Sequence, residues 1–122
     1  MAELEIGIAG GKDGGTQVRT VVGADCVRVI LTGDIDLQAI PELEAALVEL
    51  ATTPRADTQV DLAGVTFLSS TGLEFLARLH RRVTRAGHAF TVLDPTPVAL
   101  RVLTISGFTR VMEVVHTAPP RG

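Results

Sequence analysis

The segment T-Q-V-D-L-A-G-V-T-F-L-S-S-T-G-L-E-F-L (58–76) passes from a strand pattern to a helix pattern with little between them. Residues 58–62 predict a short strand, and Ala63-Gly64 predicts a turn behind it. Consecutive hydroxyl side chains at 69–71 then precede an apolar stripe at helical spacing, which consists of Phe75, Leu76, Leu79 and Val83. A strand that leads into an amphipathic helix predicts one unit of an α/β fold.

The same alternation of strands and helices continues on both sides of this segment. Upstream, strand patterns at 17–22 and 26–32 flank Gly23-Ala24-Asp25, which predicts a hairpin, and residues 3–9 alternate like an edge strand. Apolar residues on both faces of the strand at 26–32 predict that it is covered on two sides. A helix is predicted to end before Pro54, and its inward stripe is Ile40, Leu43, Leu47 and Leu50.

Downstream, residues 88–93 predict a strand, residues 97–106 a third helix and residues 111–115 a last strand. The inward stripe predicted for the third helix is Val98, Val102 and Ile105. The chain is therefore predicted to be an α/β protein with a mixed sheet of four to six strands and helices packed on it. Its predicted parts are a strand with a flexible Gly-rich segment at 1–16, one domain at 17–116 and a disordered tail at 117–122.

Composition narrows the classes of function. The chain has 122 residues and a net charge of −3. Binding to nucleic acid phosphates needs a cationic surface, so this acidic chain is not expected to bind nucleic acid. Cys26 is the only cysteine, which excludes an intramolecular disulfide and fits a reducing compartment. The acidic start and the lack of a long apolar run argue against a secretion signal and a membrane span. We therefore expect a cytoplasmic domain that neither binds nucleic acid directly nor inserts into a membrane.

The hydroxyl cluster at 69–71 has two interpretations. Thr71 and Glu74 have the spacing of a capping box, so the cluster can serve to start the helix. A hydroxyl at a helix start also faces free backbone N–H groups and the positive end of the helix dipole, where a phosphate is well tolerated. The two interpretations do not exclude each other, and both stay open.

Other polar residues carry weaker signals. Asp34 and Asp36 fit turn chemistry better than metal ligation, because no histidine or third acid lies near them in the sequence. Ser70 and His80 lie about 15 Å apart along one predicted helix, which is too far for a nucleophile and its base. A group of arginines is interpreted as one solvated helix face rather than an anion site, and its members are Arg78, Arg81, Arg82 and Arg85.

Three segments together resemble the STAS domain family. V-I-L-T-G-D-I-D-L (29–37) is similar to its strand and G-[ED]-[LI]-D turn, and residues 60–76 are similar to its signature strand, loop and helix. L-R-V-L-T-I-S-G-F (100–108) is similar to its closing helix. The resemblance covers about residues 17–115 and implies a single STAS-type domain. The group most similar in length is the bacterial anti-sigma factor antagonists, also called anti-anti-sigma factors.

This resemblance implies a partner switch controlled by phosphorylation. An unphosphorylated antagonist binds an anti-sigma factor that is also a serine kinase, and so frees the sigma factor for transcription of stress-response genes. Phosphorylation releases the antagonist, and a serine phosphatase restores it. By position the acceptor is Ser70, and the implied partner-binding residues are Asp34, Leu68, Ser69, Ser70, Thr71, Gly72 and Leu73. The implied role is regulatory binding with no catalytic residue, metal or cofactor, and formation of a homodimer is left open.

The chain departs from the family pattern at Ser69, where the antagonists usually carry an aspartate before the acceptor. Without that carboxylate the phosphorylation of Ser70 is in question, and Ser69 becomes a second candidate acceptor. An alternative from the same resemblance is a constitutive accessory subunit of a membrane transport complex, which binds its partner without phosphorylation. A nucleotide-binding or nucleotide-hydrolysing domain is a further alternative, but residues 10–15 lack the spacing of a phosphate loop.

Overall fold

The computed structural model describes residues 3–10 and 15–117, so residues 11–14 of the predicted Gly-rich segment and residues 118–122 of the tail predicted at 117–122 lie outside the described residues. Within the described residues the chain forms six strands and three α-helices. The strands are β1 (Leu4–Gly10), β2 (Gln17–Val22), β3 (Cys26–Ile35), β4 (Asp57–Leu68), β5 (Phe90–Leu93) and β6 (Glu113–Val115). The helices are α1 (Ile40–Ala51), α2 (Ser70–Arg85) and α3 (Pro97–Ile105), with short 3₁₀ helices at Leu37–Ala39 and Phe108–Arg110.

All six described strands form one mixed sheet in the order β1-β2-β3-β4-β5-β6. The pairs β1–β2 and β2–β3 are antiparallel, as the predicted hairpin requires. The pairs β3–β4, β4–β5 and β5–β6 are parallel, because a helix crosses over before each new strand. The predicted fold class, an α/β protein with a mixed sheet and helices packed on it, is confirmed. None of the helices in the described segments is long and apolar enough to cross a bilayer.

The core lies between the helices and one face of the sheet. Val29, Val60 and Val92 are cross-strand neighbours on this face and are fully buried together with apolar side chains of all three helices. On the opposite face Ile30 is only half-buried, because its cross-strand neighbours are Arg19 and Asp61. The prediction that β3 is covered on two sides is therefore wrong for this strand, whose second face is polar.

β3 and β4 are longer than predicted, because irregular pairing replaces the expected turn. The turn predicted at Ala63-Gly64 is wrong: β4 continues through it to Leu68. The register between β3 and β4 shifts where Thr32 faces Gly64, and the Asp61 carboxylate accepts a hydrogen bond from the Ala63 N–H there, at 2.8 Å. A Cβ on Gly64 would lie 2.6 Å from Thr32 Cγ2, so a larger residue at this position would displace the Thr32 side chain.

The inward faces of two helices differ from the predicted stripes. In α3 the buried residues are Ala99 and Leu103, whereas Val98 is 48% and Ile105 76% exposed. The prediction is wrong for Val98 and Ile105 but holds for Val102, which is partly buried against the core. Apolar residues occur on every side of this helix, so their spacing does not identify one face. In α1 Leu43 and Leu50 are buried as predicted, but Ile40 is 41% exposed, and Ala46 is buried instead.

Candidate functional site

The carboxyl ends of β3 and β4 are joined directly to the start of α2. Ile35 is the last residue of β3, and its carbonyl oxygen accepts two hydrogen bonds from Ser69, one from the backbone N–H at 2.9 Å and one from the hydroxyl at 3.0 Å. Because the two strands are parallel, their carboxyl ends lie side by side at the same end of the sheet. This places the end of β3 and the start of α2 side by side.

Ser69 is the N-cap of α2. Its backbone is extended, and its hydroxyl oxygen accepts a hydrogen bond from the Thr71 N–H at 3.2 Å. The capping box predicted for Thr71 and Glu74 is wrong, because Ser70 is already helical and the capping position falls on Ser69. The Ser69 hydroxyl is thus used twice, as the donor to β3 and as the acceptor that caps α2.

Ser70 is the first residue of α2 and is exposed. Its hydroxyl makes no hydrogen bond with any described residue, in contrast to that of Ser69 next to it. The backbone N–H groups of the first helical turn and the positive end of the helix dipole surround this position. Thr71 follows and is half-buried. The hydroxyls of Ser70 and Thr71 both make no hydrogen bond with a described residue, and that of Ser70 is the more exposed of the two.

Gly72 and Leu68 are buried, so they hold α2 in place without presenting side chains at the surface. A Cβ on Gly72 would lie 2.3 Å from Leu68 Cδ1 and 3.0 Å from Ile35 Cγ2. Any larger residue at 72 would therefore push α2 away from the ends of β3 and β4. Leu73 is partly buried against the same core. Of the residues implied as partner-binding, these three support the surface more than they form it.

Asp34 lies at the exposed end of β3 and is held from two directions. Its carboxylate accepts a hydrogen bond from the Thr66 hydroxyl at 2.5 Å, and its backbone carbonyl accepts one from the Thr16 hydroxyl at 2.6 Å. Asp36 has the structural role expected of it, because its carboxylate caps the 3₁₀ helix by accepting from the Gln38 N–H at 3.0 Å. Sequence reasoning missed Thr66, since a threonine in a strand carries no signal for its partner across the sheet.

Apolar side chains are also exposed at this end of the sheet, where β3 and β4 terminate. Leu37 follows Asp36 and is 72% exposed, and Phe67, which faces Asp34 across the β3–β4 pair, is 48% exposed. We call Asp34, Leu37, Phe67, Ser70 and Thr71 the strand-end surface. Exposed apolar side chains next to polar groups can contribute to a protein-interaction surface. An open cleft of about 500 Å³ adjoins it, lined by Gly10, Gly15, Thr16, Asp34, Asp36, Gln38 and Glu42.

Four arginines of α2 lie at spacings of three and four residues and therefore share one side of the helix. Arg78 pairs with Glu44 of α1 at 2.8 Å, and Arg82 donates a hydrogen bond to the Leu50 carbonyl at the end of α1. Both therefore fasten α2 to α1, while Arg81 and Arg85 are exposed. The prediction of one solvated arginine face holds for Arg78, Arg81 and Arg85, which are exposed, but not for Arg82, which is partly buried against the end of α1.

His80 and Cys26 lie away from the strand-end surface. His80 packs edge-on against Phe90, with ring centroids 5.4 Å apart. Its imidazole therefore contacts the core and does not act as a base for Ser70. Partial burial raises the pKa of the Cys26 thiol, which disfavours the reactive thiolate. No group of three or more metal-ligating side chains occurs in the described segments.

The double role of Ser69 leads to a stability prediction. Replacing Ser69 by alanine removes both hydrogen bonds of the hydroxyl and leaves the Thr71 N–H uncapped, so the free energy of unfolding should fall by about 1–2 kcal/mol. Ser70→Ala is the matched control and should change it by less than about 0.5 kcal/mol. Urea unfolding followed by circular dichroism measures both, and equal effects of the two substitutions would contradict the assigned cap.

Comparisons with known proteins agree with the fold. The family model described as "Mlab, STAS domain" matches residues 19–115. An anti-sigma-B factor antagonist of Staphylococcus epidermidis is 27% identical over 97 residues, which cover 80% of this chain and 90% of that protein. The crystal structure of an anti-sigma factor antagonist from Mycobacterium paratuberculosis superposes with a TM-score of 0.74 at 23% identity, covering 88% of this chain and 91% of the other.

The unphosphorylated form of the anti-sigma factor antagonist SpoIIAA superposes with a TM-score of 0.67 at 19% identity, covering 83% of this chain and 88% of the other. The family match extends from β2 to β6 and includes the strand ends and the start of α2. The sequence resemblance, the sheet order and the family match agree. The chain belongs to the STAS domain family.

Proposed function

We propose that this chain is an anti-sigma factor antagonist whose binding is switched by phosphorylation of Ser70. In its unphosphorylated form it binds an anti-sigma factor with serine kinase activity, and the phosphorylated form is released until a serine phosphatase restores it. The observation that carries the proposal is the exposed, unbonded hydroxyl of Ser70 at the first position of α2. The similarity to the anti-sigma-B factor antagonist of Staphylococcus epidermidis supports it.

The geometry favours Ser70 over Ser69 as the phosphate acceptor. A kinase needs a hydroxyl that can enter its active site, and the Ser69 hydroxyl is engaged with Ile35 and Thr71. Phosphorylation of Ser69 would break the bond to the Ile35 carbonyl and place oxygen atoms against it. Phosphorylation of Ser70 breaks no bond within the described residues.

A phosphate on Ser70 is compatible with the folded domain. It adds about −1.5 to −2 charges at pH 7, and the N-terminus of a helix tolerates such a charge through its free N–H groups and dipole. A partner packed against the strand-end surface would instead have to desolvate that charge. The switch therefore acts on the interface and leaves the fold intact.

The proposed contact region for the partner is the strand-end surface. Leu37 and Phe67 supply apolar contact area, and Asp34, held by Thr66, supplies a fixed carboxylate beside it. The proposed role is regulatory binding in the cytoplasm without catalysis and without direct contact to nucleic acid. Such a surface needs neither a cofactor nor a metal.

A second candidate function is a constitutive accessory subunit of a membrane transport complex. It is favoured by Ser69, which stands where the resembled antagonists usually carry an aspartate. A subunit of this kind would use the same strand-end surface but would not need Ser70 to be modified. The two candidates therefore differ in how binding responds to a charge at residue 70.

Affinity capture from the native cell extract tests the proposal. The baits are the wild-type chain, Ser70→Ala, Ser70→Asp and the control Thr84→Asp, which adds the same charge to an exposed position at the other end of α2. We expect a serine kinase of the anti-sigma type to be retained by wild type, Ser70→Ala and Thr84→Asp and lost with Ser70→Asp.

Two results would contradict the switch. If all partners are retained regardless of the charge at residue 70, phosphorylation of Ser70 does not control binding. If a transport ATPase is retained by every bait, including Ser70→Asp, the second candidate function is the correct one.

A further inference from the structure

The two edges of the sheet differ in how well they are protected against pairing with another strand. β6 forms one edge and has three residues, including Glu113. β1 forms the other edge and has seven residues, which pair with β2 on one side only. An edge strand exposes backbone N–H and C=O groups that can pair with a further strand, and short edges limit this pairing. Within the described chain β1 is therefore the open edge.

β1 lacks most of the features that block strand pairing. It contains no proline and no lysine. The Glu5 carboxylate forms an ion pair with Arg19 of the neighbouring strand β2, with 2.6 Å between Glu5 Oε1 and Arg19 Nη2. A bulge interrupts the register between Glu5 and Gly7, but residues 7–10 pair regularly with residues 17–20. A regular segment of backbone thus remains available along the outer side of β1.

β1 also exposes two large aliphatic side chains. Leu4 is 67% and Ile8 56% exposed. Ile8 is the cross-strand neighbour of Arg19, so it lies on the polar face of the sheet, which does not pack against the core. Helix α1 covers the other face of β1, since a Cβ on Gly7 would lie 3.1 Å from Glu49 Cγ. The helix shields that face and leaves the strand edge open.

We propose that a second copy of this chain pairs with β1 in antiparallel orientation about a twofold axis near Ile8. The two six-stranded sheets then form one continuous sheet. In this register the two Ile8 side chains become cross-strand neighbours, which stabilises an antiparallel pair. The two Glu5 side chains lie about 20 Å apart along the paired strands, so like charges do not face each other. A twofold contact of this kind closes on itself and stops at the dimer.

The proposed dimer leaves the strand-end surface free. β2 and β3 separate β1 from β4, whose end leads into α2. Each dimer would therefore present two strand-end surfaces. Pairing of a single short strand buries less area than a typical stable interface, so we expect weak association that depends on protein concentration.

Sedimentation velocity over a hundredfold range of protein concentration tests the dimer. We expect the weight-average sedimentation coefficient of the wild-type chain to rise from the monomer toward the dimer value. Ile8→Lys places a charge in the edge strand and should keep the chain monomeric over the whole range. Val48→Lys is the matched control, since Val48 is 68% exposed on α1, and it should associate like the wild type.

Hydrogen exchange on the wild-type chain locates the contact without any substitution. We expect the amides of β1 to become more protected as concentration rises, while those of β6 do not change. A wild-type chain that stays monomeric at every concentration would overturn the proposal. Association that persists in Ile8→Lys, or that leaves β1 exchange unchanged, would also overturn it, because the contact would then lie elsewhere.

Discussion

Replacing Gly72 by valine is expected to destabilise the domain by about 3 kcal/mol, a large part of the stability of a typical small domain. A Cβ at this position would lie 2.3 Å from Leu68 Cδ1 and 3.0 Å from Ile35 Cγ2. Leu68 is 2% and Ile35 0% exposed, so neither side chain can move aside into solvent. The helix must therefore shift away from the strand ends, which also breaks the bonds that Ser69 makes to β3.

Glu74→Val separates the packing effect from the helix propensity of valine. Glu74 is exposed on the same helix, so this substitution changes propensity without a clash and should cost less than about 1 kcal/mol. Urea unfolding of both variants gives the comparison. A Gly72→Val protein as stable as Glu74→Val would show that α2 does not pack against the strand ends as closely as described.

A phosphate on Ser70 is expected to weaken binding to the anti-sigma partner more than 100-fold. Burying the added charge at an interface needs to cost only about 3 kcal/mol for an effect of this size. Stability should change little, because the phosphate lies at the N-terminus of α2 and breaks no hydrogen bond of the described residues. Isothermal titration calorimetry with the captured partner measures the affinity, and thermal unfolding measures the stability.

Ser70→Ala is the control for this prediction and should bind within a few-fold of the wild type, since the Ser70 hydroxyl makes no hydrogen bond with any described residue. An affinity loss below tenfold on phosphorylation would count against the switch. A loss of binding that comes with a loss of folded structure would also count against it, because the phosphate would then act through the fold.

The order of strands and helices and the fold class could be predicted from the sequence, because each helix is amphipathic or bounded by proline or glycine. The pattern around α2 was the most informative, since Phe75, Leu76, Leu79 and Val83 are all buried as predicted. The stripe of α3 was not predictable in this way. Its apolar residues surround the helix, and only the position of β4 determines that Ala99 and Leu103 face inward.

The candidate site was predictable in position but not in its internal contacts. The hydroxyl cluster at 69–71 identified the start of α2, yet three adjacent hydroxyls do not reveal which one caps the helix. That assignment depends on the Ile35 carbonyl, 34 residues away in the chain. The contact between Thr66 and Asp34 likewise depends on the register of β3 and β4, which irregular pairing at Gly64 shifts.

The most direct test of the account is to locate the phosphate. The purified wild-type chain, Ser69→Ala and Ser70→Ala would each be incubated with the captured kinase and ATP, and the tryptic peptide 56–78 analysed by fragmentation mass spectrometry. We predict that the phosphate is on Ser70 in the wild type, persists in Ser69→Ala and is absent in Ser70→Ala. Phosphate on Ser69, or none on this peptide although the kinase binds the chain, would contradict the proposed switch.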